Sequence, residues 1–326
     1  MKKYFLFLIL LAVLLLTLGC ISSPEKKTET LSTLRIGYQP TTHHVAEMVA
    51  ANKSWWLEDL KPFGIKEIKE FGYPSAAPEV KALKEGDLDI AYLCAIPLIV
   101  PISDGLDAKI VAAVNMNGSS LVFRPGLNYS GPQSLRGLSI GTFPPLTAQD
   151  ILLKKWLFEN GINISEVKLI PMGPGDAVAA ISAGEVDAVF LPSPAEAIIE
   201  LTGKGKTVLS SGEMWPDGHG CCVIAASGNL SRDNPKLVEQ IVKTNTKATE
   251  YANAHPDEVA KIYSNRTGQD PKMIDYSIKT WDGRWISNPH DLIKSILEIA
   301  KFEYKNNYTQ KELTEKDLFD TSFYRK

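Results

Sequence analysis

Cysteine and histidine are scarce in this chain, four and five of them in 326 residues. That is too little cysteine for a disulfide-built scaffold, and neither a C-x-x-C pair nor an H-E-x-x-H run offers zinc a familiar spacing. There is no G-x-x-x-x-G-K-S/T loop and no G-x-S-x-G elbow, which removes the P-loop and the common serine nucleophile. Gly173-Pro174-Gly175 opens a helical stretch but lacks the third glycine of the dinucleotide fingerprint. Strong positive charge is missing too. A formal net charge of −3 gives no basic face for nucleic acid, and no nucleic-acid partner or cofactor is expected.

A single long apolar run is present, and it stands at the amino end. Lys2 and Lys3 precede Tyr4–Leu18, apolar apart from Thr17, and Leu18-Gly19-Cys20 follows with Ser22, Ser23 and Pro24 behind it. The pattern is that of an export signal. Fifteen residues are short for a spanning helix of about 20. The small residue before Cys20 resembles a prokaryotic lipobox, in which the cysteine takes a lipid. Residues 1–20 are therefore expected to be a lipoprotein signal and 21–32 a polar, flexible tether. The expected location is the extracytoplasmic face of the cell membrane, held by the lipid on Cys20. Cys94, Cys221 and Cys222 remain. A buried, reduced strand pair is expected at 221–222, because free cysteine packs as a small apolar residue. A metal site finds no support in spacing, His219 being the one plausible ligand beside the cysteines.

Two runs are written twice. Leu34-Arg35-Ile36-Gly37-Tyr38-Gln39-Pro40 is echoed by Leu138-Ser139-Ile140-Gly141-Thr142-Phe143-Pro144, and Gly86-Asp87-Leu88-Asp89-Ile90-Ala91 by Gly184-Glu185-Val186-Asp187-Ala188-Val189. The offsets are 104 and 98 residues, which points to one strand-and-turn unit built twice. Around these runs the periodicity alternates between strands and helices, as in an α/β protein with parallel sheets covered on both faces. After Asn234 long helical patterns dominate, and the tail is expected to return over the first unit. The division expected is 33–122 with 223–326 as lobe one, and 123–222 as lobe two.

In open parallel sheets ligands sit beyond the carboxyl ends of the strands. The loops expected to face the cleft are 39–44, 73–76, 94–96, 115–119, 142–147, 173–176, 192–196 and 215–222, and none contains Lys or Arg. Hydroxyls and helix starts must then supply positive potential for any anion. Tyr73, Phe143 and Trp215 could enclose a flat ring. His43 and His44 are expected to touch ligand or structure, not to catalyse, since general-base chemistry needs a partnered, positioned group. His219 is a further contact candidate.

Taken with Gly105-Leu106-Asp107-Ala108-Lys109-Ile110-Val111, Leu135-Arg136-Gly137-Leu138 and the Phe319-Asp320-Thr321-Ser322-Phe323 ending, these runs resemble solute-binding lipoproteins of ABC importers. The group is the nitrate, sulfonate, taurine and bicarbonate type, related to thiamine-pyrimidine-precursor binders. The resemblance implies a class II periplasmic-binding-protein-like fold, two Rossmann-like lobes joined by two hinge strands. It also implies a monomer that closes on a small solute and presents it to a permease and its ATPase. By the same resemblance Gln39, Thr41, Thr42, His43, Cys94, Ala95, Asn115, Asn117, Thr142 and Thr147 line the cleft. The chain departs from taurine and sulfonate binders alike, which commonly place a basic residue in the pocket; its lack favours a taurine-like zwitterion or a heterocycle over a bare oxyanion. Enzymes share the fold and stand as an alternative: a chorismate-processing enzyme, and a pyrimidine synthase with a C-C-C-F-C signature that Gly220-Cys221-Cys222-Val223 does not match. A sensor lipoprotein is the remaining alternative.

Overall fold

The computed structural model describes residues 31–325. The expected signal, the lipid-bearing Cys20 and the tether as far as residue 30 lie outside the described residues. Among the described residues no helix is long and apolar enough to cross a membrane.

The strands are β1 (Thr33–Tyr38), β2 (Glu67–Gly72), β3 (Ile90–Cys94), β4 (Ala108–Met116), β5 (Ser119–Phe123), β6 (Ser139–Thr142), β7 (Lys168–Pro171), β8 (Ala188–Pro192), β9 (Lys206–Ser210), β10 (Gly220–Ser227) and β11 (Arg284–Trp285). They form two sheets, ordered β2-β1-β3-β10-β4-β11 and β7-β6-β8-β5-β9. Counted by its own strands, each sheet reads second, first, third, then an antiparallel intruder, then fourth. The intruder is in each case the strand arriving from the other sheet. β5 follows β4 into the second sheet, and β10 follows β9 back into the first.

Sheet membership thus changes between Met116 and Ser119 and again between Ser210 and Gly220. The boundaries expected after 122 and 222 each fall inside a strand, because nothing local marks which sheet a crossing strand will join. β3, β5 and β8 are buried along their whole length, as strands covered by helices on both faces must be. In the second lobe Val122, Ile181, Val189, Leu191 and Ile199 share one apolar cluster between sheet and helices.

The doubled runs have a physical role. Gly86 and Gly184 close the helices Ala76–Glu85 and Pro174–Ala183, each giving its N–H to a carbonyl of the last turn. Three residues on, Asp89 accepts the Arg35 backbone N–H at 2.8 Å, and Asp187 accepts that of Ser139 at 2.9 Å. The reciprocal backbone bonds run from Asp89 to the Arg35 carbonyl and from Asp187 to the Ser139 carbonyl. Each aspartate therefore ties the start of the third strand to the first, and an arginine pairs with it, Arg35 at 2.7 Å and Arg124 at 3.0 Å.

The helical tail covers the first sheet but is not confined to it. Helix Pro235–Ala254 packs on β4 and on helix Val45–Asn52. There Asn245 accepts from the Tyr92 hydroxyl at 3.0 Å and donates to the Ala113 carbonyl at 3.1 Å. Helix Pro271–Thr280 packs instead on helix Ala195–Leu201 of the second lobe. It also packs on helix Pro256–Thr267, and so joins the tail to the second lobe.

Helix Ile293–Lys305 buries Glu303 with neither carboxylate oxygen partnered. Burial pushes this carboxyl up to about 8 from an ordinary 4.5. The folded state then holds a proton that the unfolded state releases, so Glu303 lowers stability as pH rises from about 4.5 to about 8 and changes nothing below that window. Glu303→Gln should remove this slope. Urea unfolding at pH 5 and pH 8.5 should show the variant gaining on the parent by on the order of 2–4 kcal/mol at the higher pH; equal pH slopes would reject the assignment.

Candidate functional site

A cavity of about 320 Å³ lies between the lobes. Its walls are the segments that follow the six parallel strands β1, β2, β3, β6, β7 and β8, together with the start of β10. Seven of the eight loops expected at the cleft place a side chain on it; 115–119 does not. Among the described residues no Lys, Arg, Asp or Glu lines the cavity. What it offers is helix starts: Ala76, Pro97, Ala148, Pro174 and Ala195 belong to the first turns of five helices. Each such terminus carries about half a positive charge. Pro40, Pro97, Phe143, Val178 and Ile198 give the remaining wall an apolar character.

Gln39, Thr41, His43, Cys94, Phe143 and Thr147 stand on this lining. The other expected contacts lie elsewhere. Thr42 is buried, its carbonyl accepting from the Trp285 indole at 2.8 Å. Thr142 points at the Phe190 carbonyl, and the Ala95 N–H is taken by Cys221. Tyr73 precedes the lining residues Pro74 and Ser75 without joining them. Trp215 sits in a separate depression with the Lys155 ammonium 3.7 Å from its ring centre.

Asn115, Asn117 and His219 hold the crossings together. The Asn117 N–H donates to the His219 carbonyl at 3.0 Å, and the His219 N–H returns to Asn117 Oδ1 at 2.9 Å. Asn115 accepts the Cys222 N–H at 3.0 Å and donates to the Asn117 carbonyl at 3.2 Å. Asp282 adds a clamp, accepting from Gly118 on one crossing at 3.0 Å and from Gly212 before the other. The family resemblance placed Asn115 and Asn117 at the ligand, and position in a cleft loop made His219 a candidate. Their partners are backbone groups far away in the chain, which no local pattern reveals.

His43 marks the cavity floor. Its Nε2 lies 2.9 Å from the Gly118 carbonyl, which requires the ring proton there and leaves Nδ1 with a free lone pair. That lone pair faces Cys221 Sγ at 3.4 Å and Cys222 Sγ at 3.7 Å. The ring also tilts against Trp281, centroids 5.5 Å apart. Burial holds the His43 imidazole below its ordinary value, and it pushes His44 down to about 3. His44 is neutral, its Nδ1 accepting the Gln39 N–H at 2.9 Å. The three cysteines are buried and unbridged. The thiols thus meet His43, whereas His219, expected beside them, turns to the Gly220 carbonyl.

Two lining residues come from the helical tail and carried no sequence signal. Tyr263 donates to the Pro40 carbonyl at 2.8 Å, and Gln269 reaches the Tyr263 hydroxyl at 3.5 Å, its own Oε1 buried without a partner. They close the cavity on the first-lobe side.

Gly118 has φ +90°, and a Cβ there would stand 2.8 Å from both His43 Nε2 and the Trp281 ring. Gly126, at φ +87°, faces open space. Gly118→Ala should therefore cost about 1–3 kcal/mol, and Gly126→Ala clearly less, in chemical denaturation; equal losses would show that backbone strain alone decides.

Comparison with known proteins gives this architecture its relatives. The chain is similar to a Bacillus subtilis protein named for a proposed role in binding aliphatic sulfonates, 24% identical over 98% of this chain and 95% of that one. It spans 57% of the length of several other curated binding proteins that it matches. Its fold is shared with the alkanesulfonate-binding protein of Xanthomonas axonopodis pv. citri bound to MOPS, at TM-score 0.76 and 18% identity over 89% of this chain and 98% of that one. A desulfurization enzyme shares it too, at TM-score 0.65 and 17% identity over 90% and 97%. Residues 27–264 match the family described as NMT1-like, and the chain belongs to that family.

Proposed function

We propose that this chain is the extracytoplasmic substrate-binding lipoprotein of an ABC importer, carrying a small organosulfonate of the taurine class to a permease and its ATPase, without turnover. The observation that carries this reading is the uncharged cavity at the meeting of five helix starts. A sulfonate head needs positive potential and N–H donors, which helix termini supply without a basic side chain. The apolar wall suits its methylene groups. The unpartnered Gln269 Oε1 suits an ammonium or N–H at the far end. The names of the relatives support the sulfonate class, and the two-lobed fold with two crossings supports closure about a hinge at 117–118 and 218–219. Bound solute stabilises the closed form only through contacts absent from the open one.

Taurine and short alkanesulfonates, at about 100 times their dissociation constant, should add about 2.7 kcal/mol to stability. Small-angle scattering should show compaction at the same concentrations. Saturable binding with unchanged dimensions would remove closure, and stabilisation by nitrate or a pyrimidine instead would move the cargo class. Recovery of the sulfonate unchanged after long incubation is expected; release of sulfite would make the protein an enzyme. For the anchor, Cys20→Ser should shift the protein from membrane to soluble fractions, and retention at the membrane would point to an uncleaved apolar segment.

A further inference from the structure

We infer that His43, Cys221 and Cys222 form a binding site for a thiophilic metal ion, zinc being the ion to test, at the floor of the cleft. This does not depend on the sulfonate reading. A tetrahedral zinc centre, with Zn–S about 2.3 Å and Zn–N about 2.0–2.1 Å, sets its ligand atoms about 3.8 Å apart for two sulfurs and about 3.6 Å for sulfur and nitrogen. Here the Cys221 and Cys222 sulfurs are 3.6 Å apart, and they lie 3.4 and 3.7 Å from His43 Nδ1. All three edges of one tetrahedral face are within a few tenths of an ångström of what the ion requires.

The backbone is irregular in the way such a face needs. Adjacent residues on a regular strand point to opposite sides, yet both thiols face one imidazole. The pairing of β10 with β4 shifts on either side of Cys222, and the Cys222 N–H is taken by the Asn115 side chain. This is a bulge, and it re-aims the pair. His43 is itself held by the Gly118 carbonyl, which fixes the tautomer that presents a lone pair to the thiols. Cys94 Sγ is 3.8 Å from Cys221 Sγ but lies against the Cys221 carbonyl at 3.1 Å, and the three-ligand set does not use it. Since all three ligands line the cavity, the fourth position of a Cys₂His centre opens toward it. Binding of Zn²⁺ replaces one proton on each thiol, so two protons leave per ion. His43 Nδ1 releases none.

The test uses the full-length protein, reduced and stripped with a chelator. Calorimetric titration with Zn²⁺ in buffers of different ionisation enthalpy should give one ion bound and two protons released. Co²⁺ in its place should give intense visible bands of tetrahedral cobalt with thiolate-to-metal charge transfer. Cys221→Ser with Cys222→Ser should weaken Zn²⁺ binding by more than about 100-fold, while far-ultraviolet circular dichroism of the metal-free form stays as in the parent. Absence of Zn²⁺ binding by the reduced parent overturns the site, as does binding that survives loss of both thiols. The cobalt spectrum decides the matter on the parent alone should the double variant misfold. Sulfonate binding is read separately in the chelator-treated protein, so that either proposal can fail without the other.

Discussion

The two places where the chain changes sheet are bound to each other, and the geometry of the cleft follows from that bond. Asn117 and His219 exchange backbone and side-chain hydrogen bonds, and the Asp282 carboxylate takes a backbone N–H on each side. Asp282 is partly buried, and bonds to an ionised acceptor are stronger than bonds between neutral groups. Because these crossings are the chain's covalent links between the sheets, the closure proposed above would pivot on them. Asn115, Asn117 and His219, expected at the ligand, spend these hydrogen bonds on joining the two crossings.

Chemically the cleft is built by subtraction. Charged side chains are kept off its walls and stationed behind them. Glu79 stands beneath Gln39, accepting its amide at 2.8 Å, and burial pushes that carboxyl up. Glu196 lies behind Ser193, whose hydroxyl it accepts, and burial pushes it up to about 7. A carboxyl that keeps its proton orients a neutral polar group without laying negative charge on an anion's path; Glu79 is raised well above its ordinary value, and Glu196 keeps its proton below about pH 7. The positive ends of helices then act on the interior unopposed.

Much of this was legible in the sequence. Strand and helix positions along both repeats could be read because period and punctuation agree: Gly86 and Gly184 stop helices, and Pro40 and Pro144 end the neighbourhood of matching strands. Cleft loops followed from strand polarity alone. Short elements escaped, among them β11 and helix Trp55–Leu60, since two to six residues carry little periodicity. So did every role that rests on long-range hydrogen bonding. Asn117 and Phe143 both sit in cleft loops, and only the fold tells that one locks a hinge while the other forms a wall. The meeting of His43 with Cys221 and Cys222, 178 and 179 residues away in the chain, had no local trace either.

The topology has a mechanical consequence. The described chain begins in the first sheet at Thr33, and near its end Phe319 bridges Ile110 of that same sheet. The second lobe is thus a side arm, spliced into the first through two crossings that face one another. Tension applied to either end of the chain is borne by the first lobe and does not run through the arm. A pull on either end would therefore load the first sheet, and reach the arm only through the crossings and the contact of helix Pro271–Thr280 with helix Ala195–Leu201.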